Sequence, residues 1–393
     1  MVGLQYYFGM SKKRILINFI TSDGRVINPL LWKLAHYPKK KFDLTFFCDR
    51  RVEMAIEKSR AKVKTVHFLN LPGTKMTSSK LSFLIEAIRR NLRAMFFVGK
   101  VSRNFDIVYS VSSVLDLVIF PYVVKLWRKK MVWVSVFDNV VPFTDPGNKL
   151  IRFLAWIFFR ISLVLIRRAD LVFVSTPELM EFLIEKGFDK NKLVQSNLAC
   201  DERSIRMAKF NRKLRYEALY LGRINETKGI DDMLEVVKKV RKLFPEFVLA
   251  MAGSGDRMTV SRYKKRIREE GLGSNVKMLG WVSEKTKYEL LKSCRTFWFL
   301  SKSLCESFGI ALMEAVCSGR PAFVYDLPQM KNIYKRGEVY LFDVGDVESV
   351  TKKVLEVFKR SDFDNKKGKQ LLGKYSWKTV AETEVKALEK LVN

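Results

Sequence analysis

Short apolar runs alternate along the chain with longer segments whose apolar positions recur every three or four residues. In the first half the runs are Arg14–Ile20, Phe42–Phe47, Phe105–Tyr109, Met131–Val136 and Ala169–Val174. They are apolar on both faces of an extended chain, which predicts buried parallel strands. Helical periodicity fills the gaps over Pro29–His36, Leu81–Val98, Val111–Lys125 and Pro177–Lys186. A second series starts near Arg215, with strands predicted over Tyr216–Leu221, Phe247–Ala252, Val276–Leu279, Thr296–Leu300, Pro321–Tyr325 and Val339–Phe342. Its helices are predicted over Gly229–Leu243, Val260–Glu270, Glu284–Ser293, Ile310–Ser318 and Val347–Arg360. Such β-α-β alternation predicts an α/β protein of open, doubly wound sheets. The polar, basic stretch Asn197–Arg215 is read as the connection. The expected organisation is therefore two Rossmann-like domains, residues 1–205 and 206–375, facing across a cleft. A terminal segment, 376–393, carries a helical pattern (Trp377–Leu391) expected to pack back on the first domain. In sheets of this kind ligands bind at the carboxyl ends of the strands.

Composition narrows the class. The chain has 393 residues, 48% of them hydrophobic, which excludes disordered and fibrous proteins. No uncharged apolar run reaches the roughly 18–20 residues of a membrane span; Phe153–Ile166 comes nearest and contains Arg160. The start lacks the charged-then-apolar order of a signal peptide. The five cysteines form no C-x-x-C pair, so a reducing, cytoplasmic setting is expected.

The net charge of +31 points to an anionic partner. On a helix over Leu81–Lys100, Leu84, Ile85, Ile88, Leu92 and Phe96 share one arc while Arg89, Arg90, Arg93 and Lys100 occupy the adjacent one. Leu150–Arg168 is more apolar, with Trp156, Phe158 and four Arg including Arg160. These segments suit an anionic membrane surface on the cytoplasmic face, contacted through Arg89, Arg90, Arg93 and Arg160. The alternative is core helices with basic rims. The chain lacks zinc-finger spacing, RNP-like aromatics and an Arg-rich arm, so nucleic acid is not expected.

Two motifs carry chemistry. In Tyr220-Leu-Gly-Arg-Ile-Asn-Glu-Thr-Lys-Gly-Ile-Asp231, Gly222 turns the chain at a strand end, and Arg223 and Lys228 lie in the loop before the next helix. Two cations at that edge suit a diphosphate, although a solvated basic loop has the same pattern. In Cys305-Glu-Ser-Phe-Gly-Ile-Ala-Leu-Met-Glu314, Glu306 precedes a helix start at Gly309 and Glu314 follows in its second turn. Amides at such a start favour anions, and the two carboxylates can accept from sugar hydroxyls.

These motifs in this order resemble the retaining glycosyltransferases of the GT-B fold, particularly glycosyltransferase family 4 with its Glu-x7-Glu motif. Asp23-Gly24, Val194-Gln-Ser-Asn-Leu-Ala, Ala252-Gly-Ser-Gly-Asp256 and Tyr375-Ser-Trp377 extend the resemblance over most of the chain. It implies transfer of a sugar, with retention, from a nucleotide-diphosphate sugar as co-substrate. Arg223 and Lys228 would hold the diphosphate, helped by Gly24, Gly222, Ser307, Phe308 and the amides of Gly309 and Ile310. Glu306 would bind the transferred sugar, Glu314 the ribose, and Val282 would lie near the base. No metal or other cofactor is expected; the Asp362-Phe-Asp364 triplet is read as a polar loop. Where the family places a sugar-contacting His, this chain has Phe137, followed by Asp138, which is read as a substitute contact or acceptor-activating group. The basic N-terminal segments suggest a lipid or lipid-linked acceptor. A soluble enzyme acting on a polysaccharide or protein glycan, or a degenerate nucleotide-sugar binder, remains open.

Overall fold

The structure is a computed structural model describing residues 12–20, 28–59, 61, 63, 66–72, 80–143, 149–304, 306, 308–330, 333–335, 337–361 and 363–392. The apolar runs become strands, mostly buried, and two further strands join those of the first domain. Seven form one parallel sheet: β1 (Lys13–Asn18), β2 (Phe42–Cys48), β3 (Val66–Asn70), β4 (Ile107–Ser110), β5 (Val132–Phe137), β6 (Leu171–Val174) and β7 (Leu193–Gln195), in the order β3-β2-β1-β4-β5-β6-β7. Six form another: β8 (Ala218–Leu221), β9 (Leu249–Ala252), β10 (Val276–Gly280), β11 (Thr296–Phe299), β12 (Ala322–Tyr325) and β13 (Tyr340–Phe342), in the order β10-β9-β8-β11-β12-β13. Both sheets reverse direction of winding at one point, between β1 and β4 and between β8 and β11. A crevice opens at such a point, outside the carboxyl ends of the strands.

Each sheet is covered on both faces. The first is sandwiched between a cluster around Phe47, Phe120 and Trp133 and another around Ile15, Phe46 and Phe173. The second lies between clusters around Leu312 and Phe299 and around Trp298 and Val237. The chain leaves the first sheet near Cys200 and returns beside the same point, where Cys200 N donates to the Tyr375 carbonyl at 3.0 Å and Cys200 forms a parallel bridge with Ser376. From there helix Trp377–Val392 packs against helix Asn28–Leu34 of the first domain.

That return is held by charge as well as by packing. The Glu384 carboxylate is fully buried. It accepts from Lys33 Nζ at 2.8 Å, Tyr37 Oη at 2.6 Å and Ser196 Oγ at 2.5 Å, with Tyr109 Oη at 3.3 Å. Burial, then the neighbouring Glu384 charge, pushes both tyrosine hydroxyls up from their ordinary range.

Candidate active site

A cavity of about 150 Å³ opens at the carboxyl ends of β8 and β11, the switch point of the second sheet. Gly222 and Arg223 leave β8 along one wall. A single 3-10 turn, Glu226–Lys228, then brings Lys228 to the cavity. Gly229 ends this turn at φ +67°, and a Cβ there would overlap the Leu300 carbonyl. Only glycine lets the loop lie so close to β11. On the opposite wall Glu306 follows β11, and Gly309 (φ +66°) caps helix Ile310–Cys317. The first amides of that helix have no intrahelical acceptor and carry the positive end of its dipole. Lys228 Nζ pairs with the Glu306 carboxylate, and both side chains are mostly buried. Arg223 is exposed at the cavity rim. Around this centre Asp232 anchors the loop after β11, accepting from Lys302 Nζ at 2.7 Å and Tyr325 Oη at 2.5 Å.

The structure thus brings Gly222, Arg223, Lys228, Glu306, Gly309 and Ile310 together around one cavity. Glu314 lies one turn further along the helix and is buried, with Oε1 accepting from Lys287 Nζ and Tyr288 Oη, both at 2.7 Å. Burial works to lower the Lys287 pKa, but Glu314 and Glu284 outweigh it and the net direction is upward. These two partners come from helix Glu284–Ser293; no local pattern signals a contact spanning so much chain. Phe308 is buried in the core, against the Tyr375 ring at 5.5 Å, so its side chain does not reach the cavity. Val282 is half-buried in the connection after β10. Gly24 and Ser307 lie outside the described residues, as does Asp362; Asp364 pairs with Lys369. Among the described residues no three His, Cys, Asp or Glu side chains gather as a metal site.

Asp138 stands at the carboxyl edge of the first sheet, directly after β5, where Ser112 Oγ approaches its two carboxylate oxygens at 3.3 and 3.5 Å. Burial pushes its carboxyl up from the ordinary range, against the hydrogen bonds and the Lys33 charge that act to lower it. Phe137, one residue earlier, points into the core and stacks on Phe182 at 6.1 Å. It fills a packing position in the core.

Residues 201–371, which contain Arg223, Lys228, Glu306 and Glu314, match the family model of glycosyl transferases group 1. The chain carries a group 1 glycosyl transferase domain. Over 177 residues it is 27% identical to phosphatidyl-myo-inositol mannosyltransferase of Mycobacterium leprae, covering 44% of this chain and 46% of that one. Over 167 residues it is 27% identical to GDP-mannose:cellobiosyl-diphosphopolyprenol alpha-mannosyltransferase of Xanthomonas oryzae, covering 41% and 43%. The matched stretch thus spans under half the length of these curated relatives. Anabaena HepE in complex with UDP and glucose superposes at a TM-score of 0.74, with 13% identity, over 95% of this chain and 99% of that one. The lipopolysaccharide outer core galactosyltransferase WaaB superposes at 0.68, with 16% identity, over 96% and 99%. The two-sheet architecture is that of the GT-B glycosyltransferases.

Outside the group 1 domain, the basic residues of the first sheet's helices divide. Arg160 is exposed, its guanidinium 5.7 Å from the Trp156 ring centre. Arg89 is partly exposed near Glu86, and Arg93 donates to the Pro72 carbonyl at 3.2 Å. Arg90 corrects the sequence reading: it is fully buried and paired with Asp116 on the adjoining helix Leu115–Trp127. It cannot meet a membrane, because the neighbouring helix covers the arc on which it lies. Among the described residues no helix is long and apolar enough to cross a membrane.

Proposed function

We propose that the protein is a retaining, metal-independent glycosyltransferase. On this reading it moves a sugar from a nucleotide-diphosphate sugar to a lipid or lipid-linked acceptor, as a peripheral protein on the cytoplasmic face of an anionic membrane. The observation that carries this reading is the convergence of Arg223, Lys228, Glu306 and the Gly309–Ile310 helix start on one cavity. Arg223 and Lys228 grip the diphosphate, and the helix amides add a fixed positive potential where negative charge grows as it leaves. These groups supply the charge a divalent ion would bring. Glu306, already held by Lys228, accepts from hydroxyls of the transferred sugar. Glu314, oriented by Lys287 and Tyr288, accepts from the ribose. Asp138 faces the acceptor from the other sheet.

The names of the relatives support the donor and acceptor classes: one acts on phosphatidyl-myo-inositol and another takes GDP-mannose to a diphosphopolyprenol-linked sugar. The membrane location rests on the exposed cation Arg160 and on the exposed apolar side chains Leu150, Phe153 and Val164 of the same helix. The test is transfer from nucleotide sugars to lipid acceptors by the full chain and by Lys228→Ala. Loss of one preorganised transition-state donor lowers turnover by roughly 10²- to 10³-fold. Turnover near that of the parent in Lys228→Ala would overturn the assignment.

A further inference from the structure

A second and larger cavity, about 500 Å³, lies between three helices of the first domain, Lys80–Met95, Leu115–Trp127 and Lys149–Ile166. Its volume falls within the roughly 300–1,000 Å³ of small-ligand sites. The lining is apolar except for Asn91, Ser113, Asp116 and Asn139. Two lining residues, Ile88 and Leu92, are 55% and 63% exposed, so the cavity opens onto the outer face of helix Lys80–Met95. Its other end runs between the loops after β4 and β5. There Ser113 and Asn139 are the sequence neighbours of the hydrogen-bonded pair Ser112 and Asp138. It therefore joins the apolar surface to the carboxyl edge of the sheet.

We infer that this cavity takes the hydrocarbon chain of a lipid acceptor, placing the head group beside Asp138. This rests on the glycosyltransferase reading and names what selects the acceptor. Three features choose a lipid chain over other occupants. Burying a polar partner here would strand its groups against a nearly unbroken apolar wall. Arg89 and Arg93 are the sequence neighbours of the opening residues Ile88 and Leu92, and Arg160 stands exposed on another of the three helices, so the end from which the chain emerges carries the cations an anionic bilayer surface attracts. A second copy of the chain, itself at +31, would bring like charge to a basic surface.

The experiment titrates n-alkyl phosphates of increasing length, below their micelle concentration, into the full chain by calorimetry, with UDP as a separate arm. Each added methylene tightens binding about fourfold until the cavity is full. Ala155→Trp, which fills the cavity from helix Lys149–Ile166, weakens the longer phosphates at least tenfold. Ile88→Glu, at an exposed position that leaves the core alone, does the same and serves if the first variant does not fold. Both retain parental UDP affinity. Binding that ignores chain length, or parental alkyl affinity in both variants, overturns the inference. So does a parent that dimerises through this face, turns monomeric in Ala155→Trp and has no alkyl affinity. Failure of the UDP arm in the parent, with the alkyl arm intact, counts against the donor site and leaves the hydrocarbon site standing.

Discussion

Lys228 and Glu306 hold each other across the cavity at the ends of β8 and β11, and that pair also marks how far single residues were legible. Both were readable from motif spacing because each precedes, by one residue or by three, a glycine that ends or begins an element: Gly229 after the 3-10 turn and Gly309 before the helix. Phe308 was not, since the sequence gives no sign that the residue next to Gly309 turns back into the core against Tyr375. Glu314 was readable as a carboxylate, but not its holders Lys287 and Tyr288, which arrive from another helix. Asp138 carries a prediction of its own. Its folded pKa is raised by burial, so its ionisation opposes folding. The cost is absent below the unfolded value of about 3.9, grows through the raised folded value and is complete above it. Asp138→Asn keeps an acceptor for Ser112 and removes the cost. Its thermal midpoint should exceed the parent's at pH 7, and the gain should shrink on acidification towards pH 4. A difference that does not change with pH would show that burial of the charge is not the cause.

Among the elements, strands were the most legible, since runs apolar on both faces leave no alternative partner than a covered sheet. The strand β7 went unread because three residues with Gln195 at the end carry no period. Helices Arg50–Glu57 and Lys366–Lys374 are short and polar, below the length at which periodicity speaks. The helix Lys80–Met95 shows a different limit. Its apolar and basic arcs were visible, but periodicity within one helix does not say which arc a neighbour covers. Arg90 and Asp116 are paired between two helices in the core, so removing one leaves a buried charge alone. Arg90→Met should cost about 3–5 kcal/mol of unfolding free energy, and Arg90→Met with Asp116→Leu should recover most of it. Arg160→Ser, by contrast, should leave denaturant unfolding within about 0.5 kcal/mol of the parent and weaken binding to anionic vesicles at low salt. Equal stability losses in Arg90→Met and Arg160→Ser would contradict this division of the basic residues.

At the scale of the molecule, two sheets and a returning helix were legible from the doubled β-α-β series and the Trp377–Leu391 period. What pins the return was not. Lys33, Tyr37, Tyr109 and Ser196 meet Glu384 from separate parts of the first domain, and no local signal connects them. Glu384→Leu strands the buried Lys33 ammonium and should cost about 3–5 kcal/mol, read as a lower urea midpoint for the first domain. A midpoint unchanged from the parent would show that packing alone holds the helix. The distance along the chain has a consequence during synthesis. Lys33 and Glu384 are 351 residues apart, which at ~5–20 residues/s means a delay of roughly 20–70 s between their emergence. Throughout that interval the nascent first domain holds the Lys33 ammonium without the carboxylate that pairs with it in the finished fold. A product released before residue 384 would keep that defect permanently, leaving prematurely ended chains exposed to proteases that the finished protein resists.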